Sequence, residues 1–138
     1  MLPAQIFGNS SGALVALQVL TRHTSAVDKV IAHEPPAMTE LADGRSWIVF
    51  FSSLYDLYQQ SGPGPAMDRF RERSFPESDR QLMVHAPTTE FSESNSRYWF
   101  EHELRQYPAT RLDHETLERH SDRLVLAVGS DSRGYPCY

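Results

Sequence analysis

The feature that most constrains this chain is a change of periodicity across a glycine-flanked serine. Residues 4–7 (AQIF) form a short apolar run closed by Gly8. From Ser11 to about His23, Leu14, Val15, Leu17 and Leu20 mark one helical face, and Ala13 and Ala16 leave room for close packing. Between the two stands Gly8-Asn9-Ser10-Ser11-Gly12. Passing from strand to helix in so few residues requires a sharp turn with a strained residue at its apex. Glycines two positions to either side remove the β-carbons that would collide with the adjoining strand and helix. A second branched run, residues 27–33 (VDKVIAH), is stopped by Glu34-Pro35-Pro36, because proline cannot donate to a ladder and restricts its predecessor. Strand, helix and strand in this order predict a parallel, right-handed unit.

From residue 37 to residue 121 the strand signals stop. Trp47, Phe50, Phe51, Leu54, Leu57 and Tyr58 recur at helical spacing, and Gly62-Pro63-Gly64-Pro65 breaks that helix. A further helix is predicted over 66–73, with Pro76 and Pro87 as boundaries. Tyr98, Trp99, Leu104 and Tyr107 sit among charges and predict a half-buried helix over 92–107, ended by Pro108, with a short helix at 114–119. Residues 124–128 (LVLAV), closed by Gly129, read as a third strand. The predicted class is α/β: a three-stranded parallel sheet with a large helical insertion at 37–121, in one domain over residues 1–138. A chain of 138 residues suffices for one such core.

The turn carries the chemistry. Ser10 at its apex is held out above the sheet as a candidate nucleophile, and the amide of Ser11, at the helix N-terminus, is placed to donate to an oxyanion. Gly8-x-Ser10-x-x-Ala13, with Glu34 at the end of the next strand, also suits a dinucleotide-binding turn. There the middle position needs a glycine so that pyrophosphate can approach the backbone, and Ser10 puts a side chain in the way. An ordinary Gly/Ser turn without chemistry is the remaining alternative. His33 and Glu34 fall at the strand end on the same edge, where they either line a pocket or satisfy loop backbone. His114-Glu115-Thr116-Leu117-Glu118 departs from the zinc-binding H-E-x-x-H pattern, since Glu118 stands where the second histidine belongs and His120 is off that face. It reads as a solvated charged helix. Trp47, Phe50, Phe51, Tyr55 and Trp99 read as core of the helical part, some of them facing an apolar substrate.

The formal charge of −5, with both signs interspersed, provides no footprint for phosphate backbones or anionic lipid, so neither nucleic acid nor membrane is an expected partner. The single cysteine, Cys137, cannot form an internal disulfide and reads as an exposed thiol, which makes the expected location cytoplasmic. The first twenty residues lack a basic stretch and are interrupted by glycine and serine, unlike a signal peptide or a membrane span. Apolar sequence two residues from the start, and a turn-like Gly134-Tyr135-Pro136-Cys137-Tyr138 at the close, suggest a cut at both ends.

IFGNSSGALVALQVL followed by VIAHEPP resembles the α/β-hydrolase superfamily, in particular uncharacterised hydrolases with a HEPP-like turn after the sixth strand of the sheet. WFEHELRQY and LVLAVGSDSRG resemble the cap helix and seventh strand of the same group. The resemblance implies that 4–7, 27–33 and 124–128 correspond to strands five to seven of a partial α/β-hydrolase fold, and that 37–121 is a cap shaping the pocket. It implies a small acyl or ester substrate, no cofactor, Ser10 as nucleophile and Asp131, in the loop after strand seven, as the triad acid. The triad order puts the histidine later still, and no histidine follows His120 in the sequence. Nor do the four preceding strands, or the loop that supplies the second oxyanion donor, have a counterpart. The expectation is a fragment with negligible esterase activity of its own, whose uncovered sheet edge favours self-association.

Overall fold

The two branched runs and the run before the turn form β1 (Ala4–Asn9), β2 (Val27–His33) and β3 (Leu124–Ala127) in the computed structural model, which describes residues 2–84 and 89–134. They make one parallel sheet in the order β1-β2-β3. The chain is therefore an α/β protein, as the alternation predicts. β1 runs two residues beyond the expected 4–7, because Gly8 and Asn9 still pair with Ala32 and His33. Cys137, Tyr135, Tyr138 and the expected boundary at Pro87 lie outside the described residues.

Register decides which side chains share a face. Ile6, Val30 and Leu124 align, as do Gly8 and Ala32, and helix α1 (Ser11–Arg22) lies against this side. Ala13, Leu14, Leu17 and Leu20 recur along the buried face of α1 and pack with Val27, Val30, Ala32 and Leu117 into a first core built of aliphatic residues. Leu117 belongs to α6 (His114–Arg119), whose start is capped by Asp113: its carboxylate accepts the Thr116 amide at 3.1 Å, which holds its pKa below the usual carboxylate value. On the other side of the sheet, Phe7, Ile31 and Val125 stand side by side and remain 67%, 39% and 42% exposed.

The segment between β2 and β3 is helical, as predicted. Its elements are α2 (Gly44–Ser61), α3 (Pro63–Ser74), α4 (Glu77–Val84) and α5 (Ser92–Tyr98), the last continuing into a π-helical turn at Trp99–Glu103. A second core gathers here from aromatic rings: Trp47, Phe51, Tyr58 and Phe100 are buried with Met38, Leu54, Ala66 and Leu104. Tyr58 and Phe100 stack with centroids 4.8 Å apart. The Tyr58 hydroxyl donates to Glu101 Oε1 at 2.6 Å, and this bond, with burial adding to it, raises the phenol pKa. Phe50, Tyr55 and Trp99 pack on the same cluster, so the five aromatics read as core of the helical part, Trp47, Phe50, Phe51, Tyr55 and Trp99, belong to it, whereas Tyr98 is exposed.

α4 is not among the helices the sequence singles out, and one expectation needs correction. α4 has no apolar stripe to announce it; Glu77 accepts from both Arg80 and Gln81, and such local pairs support a polar helix without a core face. The helix expected over 92–107 changes type at Trp99 and ends at Glu103. The Leu104 amide reaches back five residues to the Trp99 carbonyl at 2.9 Å, and Pro108 sits in a separate 3₁₀ turn, Tyr107–Ala109. The wider turn lets Phe100 and Leu104 both enter the core.

Candidate active site

Ser10 stands between the end of β1 at Asn9 and the start of α1 at Ser11, and its backbone is pinned on both sides. Its amide donates to the His33 carbonyl at 2.9 Å, and its own carbonyl accepts the Ala13 amide at 2.8 Å. Meeting both demands puts Ser10 at φ 53°, ψ −128°. For a residue with a β-carbon, such a conformation costs on the order of 1–3 kcal/mol. A serine before a helix ordinarily accepts a first-turn amide on its hydroxyl, a bond worth about 0.5–2 kcal/mol. Ser10 makes no such bond, and its Oγ has no partner among the described residues. Ser11, the first residue of α1, has an amide with no carbonyl four residues back to receive it, at the positive end of the helix dipole.

Gly8 is what allows the turn to be so tight. A β-carbon there would collide with the Gly12 carbonyl oxygen and lie 2.7 Å from both the Gly12 carbonyl carbon and the Ala13 Cα. The expectation for Gly12 differs from what is found: a β-carbon on it would meet nothing within 4 Å among the described residues, so the steric requirement falls on Gly8 alone.

The next strand ends in the same way one position along the sheet. Glu34 follows β2 as Ser10 follows β1, has φ 50°, and donates its amide to the Ala127 carbonyl at 2.9 Å. Its half-buried carboxylate turns to the exit of β3, where Oε1 accepts the Gly129 amide at 2.9 Å. His33 places Nδ1 2.8 Å from Asn9 Oδ1 and 3.9 Å from Glu34 Oε2. The carboxyl edge of the sheet thus joins Asn9, Ser10, His33, Glu34 and Gly129 in one set of polar contacts.

Asp131 stands apart from this set. It opens a 3₁₀ turn, Asp131–Gly134, is exposed, and accepts from the hydroxyl of Ser130 at 3.1 Å. Among the described residues no hydrogen bond or ion pair joins it to Ser10 or to the strand ends beside it. Ser132, which the sequence did not mark, is the buried residue of this loop, its amide donating to the Gly129 carbonyl at 3.2 Å. The two other histidines considered for metal have separate partners: His114 Nε2 lies 2.8 Å from Glu40 Oε2, and His120 Nδ1 accepts from Arg123 at 2.7 Å. Among the described residues no three His, Cys, Asp or Glu side chains gather as a metal site, and no helix is long and apolar enough to cross a membrane.

A groove of about 790 Å³ runs along the exposed side of α1. It is walled by Val15 and Val19 on one side and by His102, Gln106 and Tyr107 on the other, and reaches the turn at Ser11 and Gly12. Ser10 itself is not among the residues that line it.

No protein-family model matches the chain. It is similar to the protein called Uncharacterized hydrolase YraK of Bacillus subtilis (strain 168), with 30% identity over 135 residues, covering 95% of this chain and 47% of that protein. The chain thus spans about half the length of the curated relative it matches.

Proposed function

We propose that this chain carries the nucleophile of a serine hydrolase of the α/β-hydrolase type, acting on carboxylic esters or related acyl compounds without a cofactor. Ser10 Oγ attacks the acyl carbon, the alcohol leaves, and water releases the acid from the resulting acyl-serine. The Ser11 amide donates to the oxyanion, and the helical insertion over residues 37–121 acts as a cap over the substrate. The observation that carries this reading is Ser10 itself: a left-handed serine between strand and helix, with its hydroxyl withheld from the helix cap it is placed to make. The fold has accepted strain and forgone a cap at one residue, a combination associated with functional positions. Similarity to a protein named as a hydrolase supports the reaction class.

Covalent labelling tests it. With imidazole added as base, a fluorophosphonate incubated with the 138-residue chain is expected to modify Ser10 in preference to the neighbouring Ser11, with the adduct located by peptide mass spectrometry and absent from Ser10→Ala. Labelling spread evenly over the serines would sink the proposal. Catalytic turnover of an activated ester by these residues alone is expected to be negligible, because no histidine follows His120 to act as base.

A second reading, a non-catalytic assembly module, is favoured by the exposed row Phe7, Ile31 and Val125, since parallel sheets are ordinarily covered on both faces. It expects a concentration-dependent dimer by size-exclusion chromatography with light scattering. A monomer at all concentrations argues against it.

A further inference from the structure

We propose that Glu34, rather than the aspartate after β3, is the carboxylate that orients the imidazole base serving Ser10. This rests on the reading of Ser10 as nucleophile and concerns which residue completes its proton relay.

The argument begins with placement. The Ser10 amide is bonded to the His33 carbonyl, the carbonyl of the peptide unit that leads into Glu34. Ser10 and Glu34 therefore leave adjacent strands at one level of the sheet, separated by about one strand spacing of 4.8 Å. Both leave with a left-handed φ, 53° and 50°. These are the two non-glycine residues with positive φ among those described. A glutamate gains nothing from that conformation in ordinary loop packing, and Pro35 and Pro36 directly after it stiffen the exit so that it is kept.

The carboxylate is also prepared for a second hydrogen bond. Its side chain is 15% exposed, and Oε1 is fixed by the Gly129 amide at 2.9 Å. Gly129 makes this approach possible, because a β-carbon there would stand 3.0 Å from Glu34 Oε1 and 3.2 Å from Ser132 Oγ. Oε2 accepts no hydrogen bond among the described residues. The nearest cationic candidate, His33 Nδ1, is 3.9 Å away and already lies 2.8 Å from Asn9 Oδ1. One oxygen anchored and one free is what an orienting carboxylate requires: the anchor fixes direction, and the free oxygen receives an imidazole N–H. Asp131 differs in its anchor and its surroundings: it is exposed, and its one bonded oxygen is held only by the hydroxyl of the adjacent Ser130.

In the relay, the imidazole takes the proton from Ser10 Oγ on one nitrogen as the Oγ–acyl or Oγ–phosphorus bond forms. Its other N–H donates to Glu34 Oε2, which stabilises the imidazolium without taking the proton. Added imidazole supplies this base to the 138-residue chain, and the readout is the rate of Ser10 adduct formation with a fluorophosphonate, in which the P–F bond breaks and fluoride leaves. We expect imidazole to accelerate labelling along a saturating curve. Glu34→Gln should lower that acceleration about tenfold or more and Glu34→Asp by less, while Asp131→Asn stays within about twofold. The side-chain amide introduced by Glu34→Gln still offers an oxygen to the Gly129 amide, so an unchanged melting temperature separates the effect of charge from that of structure. Loss of the carboxylate should also move the midpoint of the imidazole-dependent pH profile to lower pH, since a neighbouring negative charge favours imidazolium. Equal acceleration in Glu34→Gln, or a loss confined to Asp131→Asn, overturns the assignment while leaving Ser10 as nucleophile. Absence of any Ser10 adduct with imidazole present overturns the nucleophile reading, and this inference with it.

Discussion

The two cores of this molecule are made of different material. Beneath the sheet the buried residues are alanine, valine and leucine, whereas between the helices four of the eight are large rings. Small side chains let α1 approach the strands until the Ala13 backbone rests against Gly8, and that close approach creates the turn at Ser10. Rings fill space differently. Trp47, Phe51 and Tyr58 of α2 cluster with Phe100 of the π-helical turn, which stacks on Tyr58 and meets Trp99 edge to face. One core sets a position and the other fills a volume. Among the described residues Tyr107 alone packs on both.

The largest perturbation of this contrast is Phe100→Ala. Removing a fully buried ring should cost about 3–5 kcal/mol. If the cores open separately, amide exchange should accelerate through α2 and the Trp99–Glu103 turn more than through β2. Uniform acceleration would show that they unfold as one unit. Gly8→Ala comes next, at about 1–3 kcal/mol from overpacking against helix backbone that cannot rotate away. Its effect on Ser10 labelling should exceed that of Phe100→Ala although the stability loss is smaller, and the reverse ranking would contradict the division of labour. Ser10→Gly should raise stability by about 1 kcal/mol, because glycine adopts the left-handed turn without strain; a loss in denaturant titrations would mean that no strain is stored there.

The smallest effects are in pH. Tyr58, whose pKa is raised on folding, lends the ring core stability that is intact below its ordinary value of 10.0 and is lost as pH rises beyond it. Asp113 is lowered, so the stability it gives α6 and the aliphatic core is present above 3.8 and is lost as pH falls. Tyr58→Phe should flatten the alkaline limb of the stability curve and Asp113→Asn the acid limb. Exchanged or absent changes in slope would refute the assignment of one limb to each core.

What the sequence disclosed follows the same line. β2 and β3 were legible because short runs rich in branched residues are closed by Glu34-Pro35-Pro36 and by Gly129, and α2 because its rings recur at helical spacing. α4 was illegible because local side-chain pairs, not a buried face, support it. The change of helix type at Trp99 was hidden for another reason: whether a turn widens depends on where the facing core needs Phe100 and Leu104, which local sequence does not encode. At the site, the turn at Ser10 could be read from its glycines. The left-handed Glu34 could not, since its conformation is imposed by the exit from β2 and by the amide it meets 95 residues later.

The placement of Trp47 and Trp99 decides what a common optical measurement can see. Both tryptophans of the chain sit in the ring core, with Arg73 over the Trp47 indole at 5.0 Å. Intrinsic fluorescence therefore watches the helices and is blind to the strands that carry Ser10. A melt followed by emission and one followed by a label on Ser10 are independent recordings of the two halves, and their coincidence or separation measures how tightly Tyr107 joins them.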